Sequence, residues 1–146
     1  MPDEPYTIPL GEAVIRRAGA DLTLCTAGAM VRRCLEAARK LAREGIDCEV
    51  IDLRTLKPWD IACVLSSVRK TGRFVAVDES FPVCGAAGEW AATVAERAFH
   101  DLRAPVQRVS NHDVPLPFSP VLEKAVVPTA ERIMDAVRRC MQPESA

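Results

Sequence analysis

From Asp21 to Thr26 the sequence DLTLCT alternates and is rich in strand formers, which predicts a β-strand. Ala27-Gly28-Ala29 breaks that alternation, and from Met30 to Glu44 the period becomes helical. Val31, Cys34, Leu35, Ala38, Leu41 and Ala42 form the apolar stripe, while Arg32, Arg33, Glu36, Arg39, Lys40 and Arg43 take the other side. Gly45 stops the helix, and Cys48 to Thr55 predicts the next strand.

Pro58 and Asp60 stand where a helix start favours a residue without an N–H and a carboxylate at the positive end of the dipole. Ile61, Val64, Leu65 and Val68 continue as one stripe until Gly72. Arg73 to Asp78 has a continuous apolar centre, as a strand covered on both faces requires. A loop from Glu79 to Gly88 leads to a helix from about Glu89 to Asp101, with Ala91, Val94, Ala95, Ala98 and Leu102 inward. Pro105 to Val109 predicts a fourth strand, followed by a proline-rich irregular loop from Asn111 to Pro120. Ser119-Pro120 opens a short helix, and Thr129 caps a last one with Ile133, Ala136, Val137 and Cys140 inward. The tail from Gln142 to Ala146 is expected to fray.

Strands alternating with helices predict a mainly parallel sheet between helical layers, because parallel neighbours need a long crossover. The fold expected is therefore a three-layer α/β/α domain, with Glu12 to Arg17 available as an antiparallel edge strand. A chain of 146 residues is of single-domain size, so residues 1–146 are read as one domain.

Charge narrows the partners. Nineteen basic and twenty acidic side chains leave a net charge of −1 without long blocks of one sign, which argues against nucleic acid and anionic membrane as partners. No apolar run approaches a bilayer span, and the acidic, proline-containing start does not read as an export signal, so the expectation is cytoplasmic. Six cysteines, at 25, 34, 48, 63, 84 and 140, never form CxxC and mostly occupy apolar slots, so they read as reduced thiols rather than metal ligands.

Ligands of parallel sheets gather at the strands' carboxyl ends, which here carry Ala27-Gly28, Asp52 to Thr55, Asp78-Glu79 and Asn111-His112-Asp113. With a two-residue period, Asp52 and Arg54 share one face, either as an anion or partner site or as an ion pair bracing the strand-to-helix corner. His112-Asp113 is the His-acid pair at these strand ends; it is either a general base with its orienting acid or a hydrogen-bonded loop brace. Gly85-Ala-Ala-Gly88 precedes a helix but lacks the lysine and spacing of a phosphate loop, so close packing of small residues explains it better. Neither a GxSxG elbow nor an HExxH motif is present.

The segments IPLGEAVIRRAGADLTLCTAGAMV, EVIDLRTLKPWD, SVRKTGRFVAVDE, GEWAATVAERAF and LRAPVQRVSNHDVPLP occur in this order. Together, from about Tyr6 to Met141, they resemble the C-terminal domain of the β subunit of thiamine-diphosphate-dependent 2-oxo acid dehydrogenases, the first components for pyruvate, branched-chain 2-oxo acids and acetoin. The resemblance implies the transketolase C-terminal fold, a mainly parallel five-stranded sheet with one antiparallel edge strand, whose core spans about residues 6–141.

It also implies an assembly role. The domain would join an α subunit and a second β subunit in an α2β2 component and help present a surface to the lipoyl acyltransferase core. Thiamine diphosphate and magnesium would belong to the full assembly, with none bound by this domain alone. The family's upstream pyrimidine-binding domain and a GDG-type metal motif are not in these 146 residues, so no 2-oxo acid turnover is expected from this polypeptide by itself. Asp52, Arg54, Glu79, His112 and Asp113 are then interface or structural residues, with no catalytic, cofactor or metal ligand assigned. Self-association into a homo-oligomer is a natural consequence if a contact surface is left open. The competing expectations are a stand-alone α/β module binding a small anion in the strand-end crevice, and an independent enzyme using His112 as base.

Overall fold

The computed structural model describes residues 6–142. Among them, five strands form one sheet in the order β1-β3-β2-β4-β5: β1 (Val14–Arg17), β2 (Leu22–Thr26), β3 (Cys48–Asp52), β4 (Phe74–Val77) and β5 (Gln107–Val109). β2 to β5 run parallel, and β1 pairs antiparallel with β3 at one edge. The crossovers are α1 (Met30–Ala42), α2 (Ile61–Thr71) and α3 (Ala86–Arg97), followed by α4 (Pro120–Val126) and α5 (Ala130–Met141).

Each central strand divides its side chains between two cores. Leu22, Leu24, Val50, Val75 and Val77 meet α1 and α5 on one face, where Cys34, Leu41, Ile133 and Val137 are buried. Cys25, Ile51, Phe74 and Ala76 meet α2 and α3 on the other, around Val64, Val68, Trp90 and Val94. Removing a leucine or phenylalanine side chain from water in this way contributes roughly 1.5–3 kcal/mol.

The alternation in β2 does not separate core from solvent. Thr23 is fully buried beneath α2, with its hydroxyl 2.7 Å from Ser67 Oγ and 2.8 Å from Thr71 Oγ1. A polar position can therefore face the interior when a facing helix supplies hydroxyl partners.

Several element limits differ from the expected ones, each for a local reason. β3 ends at Asp52 instead of continuing to Thr55: Leu53 N still reaches Thr26 O at 2.8 Å, but Arg54 then takes a left-handed φ of 60°. α2 starts after its cap, Asp60, whose Oδ1 accepts from Cys63 N at 2.9 Å, and Pro58 stays in the turn before it. The helix closes at Gly72, with φ 71°.

α3 begins at Ala86 and stops at Arg97, and Phe99–Asp101 forms a separate 3-10 turn. Gly85 caps it, and a Cβ there would lie 2.2 Å from both Phe81 O and Ser80 Oγ, so only glycine fits. The earlier start lets the large Trp90 set the buried face. Ala87, Trp90, Val94 and Ala98 point inward, while Ala95 is exposed. On α1 the face turned to the sheet is Met30, Cys34, Ala37, Ala38 and Leu41, which leaves Val31 and Leu35 half-buried at its margin and Ala42 exposed. Of the tail expected to fray, residues 143–146 lie outside the described residues.

No helix among the described residues is long and apolar enough to cross a membrane.

Candidate functional site

The carboxyl ends of β2, β3 and β4 open on the same side of the sheet, as parallel pairing requires. At the end of β3, Asp52 is a node. Arg16, on the antiparallel β1, donates to its Oδ2 from Nε at 3.0 Å and from Nη2 at 2.8 Å. Arg54 donates its backbone N–H to Oδ1 at 3.1 Å. Asp52 and Arg54 are thus close, but through backbone. The ion pair runs from Asp52 to Arg16, because the left-handed turn at Arg54 takes its side chain off the strand's alternation.

These residues border a crevice of roughly 700 Å³ that also takes in Gly28, Arg32, Leu35, Val31 and Ile8. Three guanidinium groups face one carboxylate there. Arg54 Nε is buried with no hydrogen-bond partner among the described residues. α1 starts at the crevice rim with no side-chain cap and no acidic residue in its first turn, and the Glu79 carboxylate comes near Gly28 just before it.

Glu79, exposed after β4, borders a neighbouring cavity of about 410 Å³ together with Arg32, Arg33, Lys124, Thr129 and Glu131. Asp78 accepts from Ser80 Oγ and from Ala87 N at 3.4 Å, so it is tied to the loop and to the start of α3.

The Asn111-His112-Asp113 loop is held by Asn111 and by backbone. Asn111 N donates to Ser80 O at 3.0 Å and its Nδ2 to Glu79 O at 2.9 Å, while His112 N reaches Val126 O at 3.1 Å. Arg132 of α5 holds Ser110 O at 2.6 Å from the other side. The His112 and Asp113 side chains are exposed.

Arg16 and Arg32 escaped the reading of the sequence. Arg16 reaches Asp52 only because β1 pairs antiparallel with β3, and Arg32 looked like one more charge on a solvent face. The signal for Arg32 was its place in the first helical turn after a strand end.

No group of three or more His, Cys, Asp or Glu side chains among the described residues could hold a metal ion.

Residues 11–133 match the transketolase C-terminal domain family. The chain belongs to it. This transketolase C-terminal domain is 48% identical over 142 residues to the acetoin:2,6-dichlorophenolindophenol oxidoreductase subunit beta of Cupriavidus necator, covering 97% of the chain and 42% of that protein. It is 45% identical over 137 residues to the mitochondrial pyruvate dehydrogenase E1 component subunit beta-1 of Arabidopsis thaliana, covering 94% of the chain and 38% of that protein. A solved split-gene transketolase, described as an inactive beta4 tetramer, superposes with a TM-score of 0.81 at 30% identity, over 97% of this chain and 44% of that one. The domain therefore spans about two fifths of the length of the curated relatives it matches.

Proposed function

We propose that this chain is the C-terminal assembly domain of the β subunit of a thiamine-diphosphate-dependent 2-oxo acid dehydrogenase, forming a single domain and contributing to oxidative decarboxylation only within an α2β2 component. The kinship to acetoin and pyruvate dehydrogenase β subunits supports this reading. The structural observation that carries it is an uncovered apolar surface. Phe118 is fully exposed at 103%, and Val83, Val114, Leu116, Val121 and Leu122 are exposed on the same two loops and the start of α4. Asn111 joins the two loops through Ser80 O and Glu79 O. Such a surface fits burial against another subunit better than contact with water.

In this reading the α subunit and a second β subunit cover the apolar loops, and the lipoyl acyltransferase core docks on the assembled component. Asp52, Arg54 and Glu79 shape the strand-end rim, and the His112-Asp113 loop lies within the interface. The six free cysteines fit a reducing compartment, and the proposal places the assembly in the cytoplasm.

Thiamine diphosphate with magnesium would supply the carbanion chemistry of decarboxylation in the assembly. The carboxylates among the described residues do not fit the metal. Asp52 is engaged by Arg16 and Asp78 by Ser80, and neither joins a ligand cluster among the described residues. The proposal assigns both groups to the rest of the component, and calorimetry of the chain alone should show no tight, magnesium-dependent binding of thiamine diphosphate.

The test combines the chain with a family α subunit and the pyrimidine-binding part of a β subunit, followed by sedimentation and acetoin- or pyruvate-dependent reduction of dichlorophenolindophenol. Association and activity should appear together, and F118D should abolish both while leaving the unfolding midpoint of the chain in place. Absence of association, or turnover by the chain alone, would overturn the proposal.

A further inference from the structure

The crevice at the end of β3 has an unusual charge balance. Among the described residues Asp52 is the one acidic residue that lines it, with Glu79 Oε1 near Gly28 at its edge, and both Asp52 oxygens are engaged, Oδ2 by Arg16 and Oδ1 by the Arg54 backbone. Arg32 and Arg54 make no ion pair among the described residues, whereas Arg17, Arg33, Arg69 and Arg138 each face a carboxylate. Two guanidinium groups bordering a concavity of roughly 700 Å³ focus positive potential into it. The volume lies within the range of about 300–1,000 Å³ common for small-molecule sites.

Beside the charges, Ile8, Val31 and Leu35 supply the apolar part of the lining. Val31 and Leu35 are there because the buried face of α1 is centred on Cys34, Ala38 and Leu41, which leaves these two at the margin. The apolar lining and the cations together define a ligand with a doubly charged head and an apolar body.

We propose that this crevice binds a small organic dianion of the phosphate-monoester class, with its anionic head on Arg32 and Arg54 and its apolar group against Ile8, Val31 and Leu35. Guanidinium forks match phosphate oxygens pairwise, and two of them balance two negative charges. Asp52 does not repel the head, since Arg16 neutralises it. Instead, through the Arg54 N–H, it holds the left-handed turn that carries the Arg54 side chain. The site stands whether or not the chain works inside a larger assembly.

The test is calorimetric titration of the chain with phenyl phosphate, with inorganic phosphate and benzoate as comparators. One saturable site for phenyl phosphate is expected, with weaker binding of both comparators. R32Q and R54Q should each weaken it about 10-fold or more, the effect of losing a hydrogen bond to a charged group. R69Q, on α2 and paired with Asp101, should leave it unchanged. Arg32 is exposed and makes no side-chain hydrogen bond among the described residues, so R32Q will fold and the result is readable even if R54Q does not.

No saturable binding, or equal losses in R69Q, would overturn the proposal. Inorganic phosphate binding as tightly as phenyl phosphate would remove the apolar lining from it. If the ligands have no effect and R32Q instead dissociates a dimer in sedimentation, a second copy of the chain fills the crevice and the proposal falls.

Discussion

Arg16 grips Asp52 across the antiparallel β1–β3 pair, with Nε and Nη2 both on Oδ2 at 3.0 and 2.8 Å. The carboxylate is nearly buried while the guanidinium stays almost half exposed, at 10% and 45%. Exposure screens the Coulomb attraction, so hydrogen bonding supplies most of the effect. D52A removes this pair together with the bond that holds the Arg54 turn, and should cost about 1–2 kcal/mol in urea unfolding. R16Q, which leaves the Arg54 bond in place, should cost less.

Asp60 performs two tasks with one carboxylate. Oδ1 caps α2 at Cys63 N, 2.9 Å, and Oδ2 accepts from Ala13 N at 3.0 Å, tying the segment before β1 to the helix start. D60A should destabilise the domain by about 1–2 kcal/mol, the upper part of the range for a lost cap. Hydrogen exchange should show the Ala13 and Cys63 amides losing protection together. Loss at Cys63 alone would separate the two tasks.

Glu49 sets the response to acid. It is 1% exposed, and burial by itself would raise its pKa. Lys70, Ser67 Oγ and Gly19 N outweigh that by hydrogen bonding to the ionised form, which holds the carboxyl below the ordinary glutamate value. A depressed folded-state pKa gives stability that is complete above the unfolded value of about 4.3 and is lost as pH falls through the folded one. E49Q should therefore lower the urea midpoint at pH 7, and its difference from the parent chain should shrink below about pH 4.

Rapid thiol chemistry should be confined to one residue. Burial pushes Cys34 up to about 12 against a weaker opposing contact from Thr26, and Cys140 up to about 11 against Arg139 and Arg73. Cys84 alone is exposed, in the loop before α3. Under native conditions a disulfide reagent should label one thiol rapidly, and C84S should remove that phase while the four buried thiols react only on unfolding and the half-buried Cys63 lags behind Cys84.

The layers of this domain were legible in the chain because burial on two faces leaves a repeating trace. Phe74 to Val77 is apolar throughout since β4 is covered on both sides, and α5 shows Ile133, Ala136, Val137 and Cys140 at helical spacing. Limits were less legible. They depended on single interactions such as Asp60 with Cys63 N, or on the close approach of Gly85 to Phe81 O, which no window of propensity contains. The strand-end site was half legible. Asp52 and Arg54 were conspicuous as charges after an apolar run, but the partner that makes Asp52 a node is 36 residues away in sequence.

What the sequence by itself determined is the element order, the two apolar faces of β4 and, through its ordered segments, the family. Local periodicity and covalent neighbours are enough for these, because each is written in consecutive residues. Only the tertiary structure decided that Arg16 takes Asp52, that Arg54 turns left-handed out of the strand, and that Arg32 stands beside them without an ion pair among the described residues. Those outcomes follow from β1 entering the sheet antiparallel beside β3, and from α1 turning on Cys34, Ala38 and Leu41 so that its first-turn arginine meets the strand ends. Hydrogen bonds and charges act across space over a few ångströms, and which charges come that close is settled by how the layers pack.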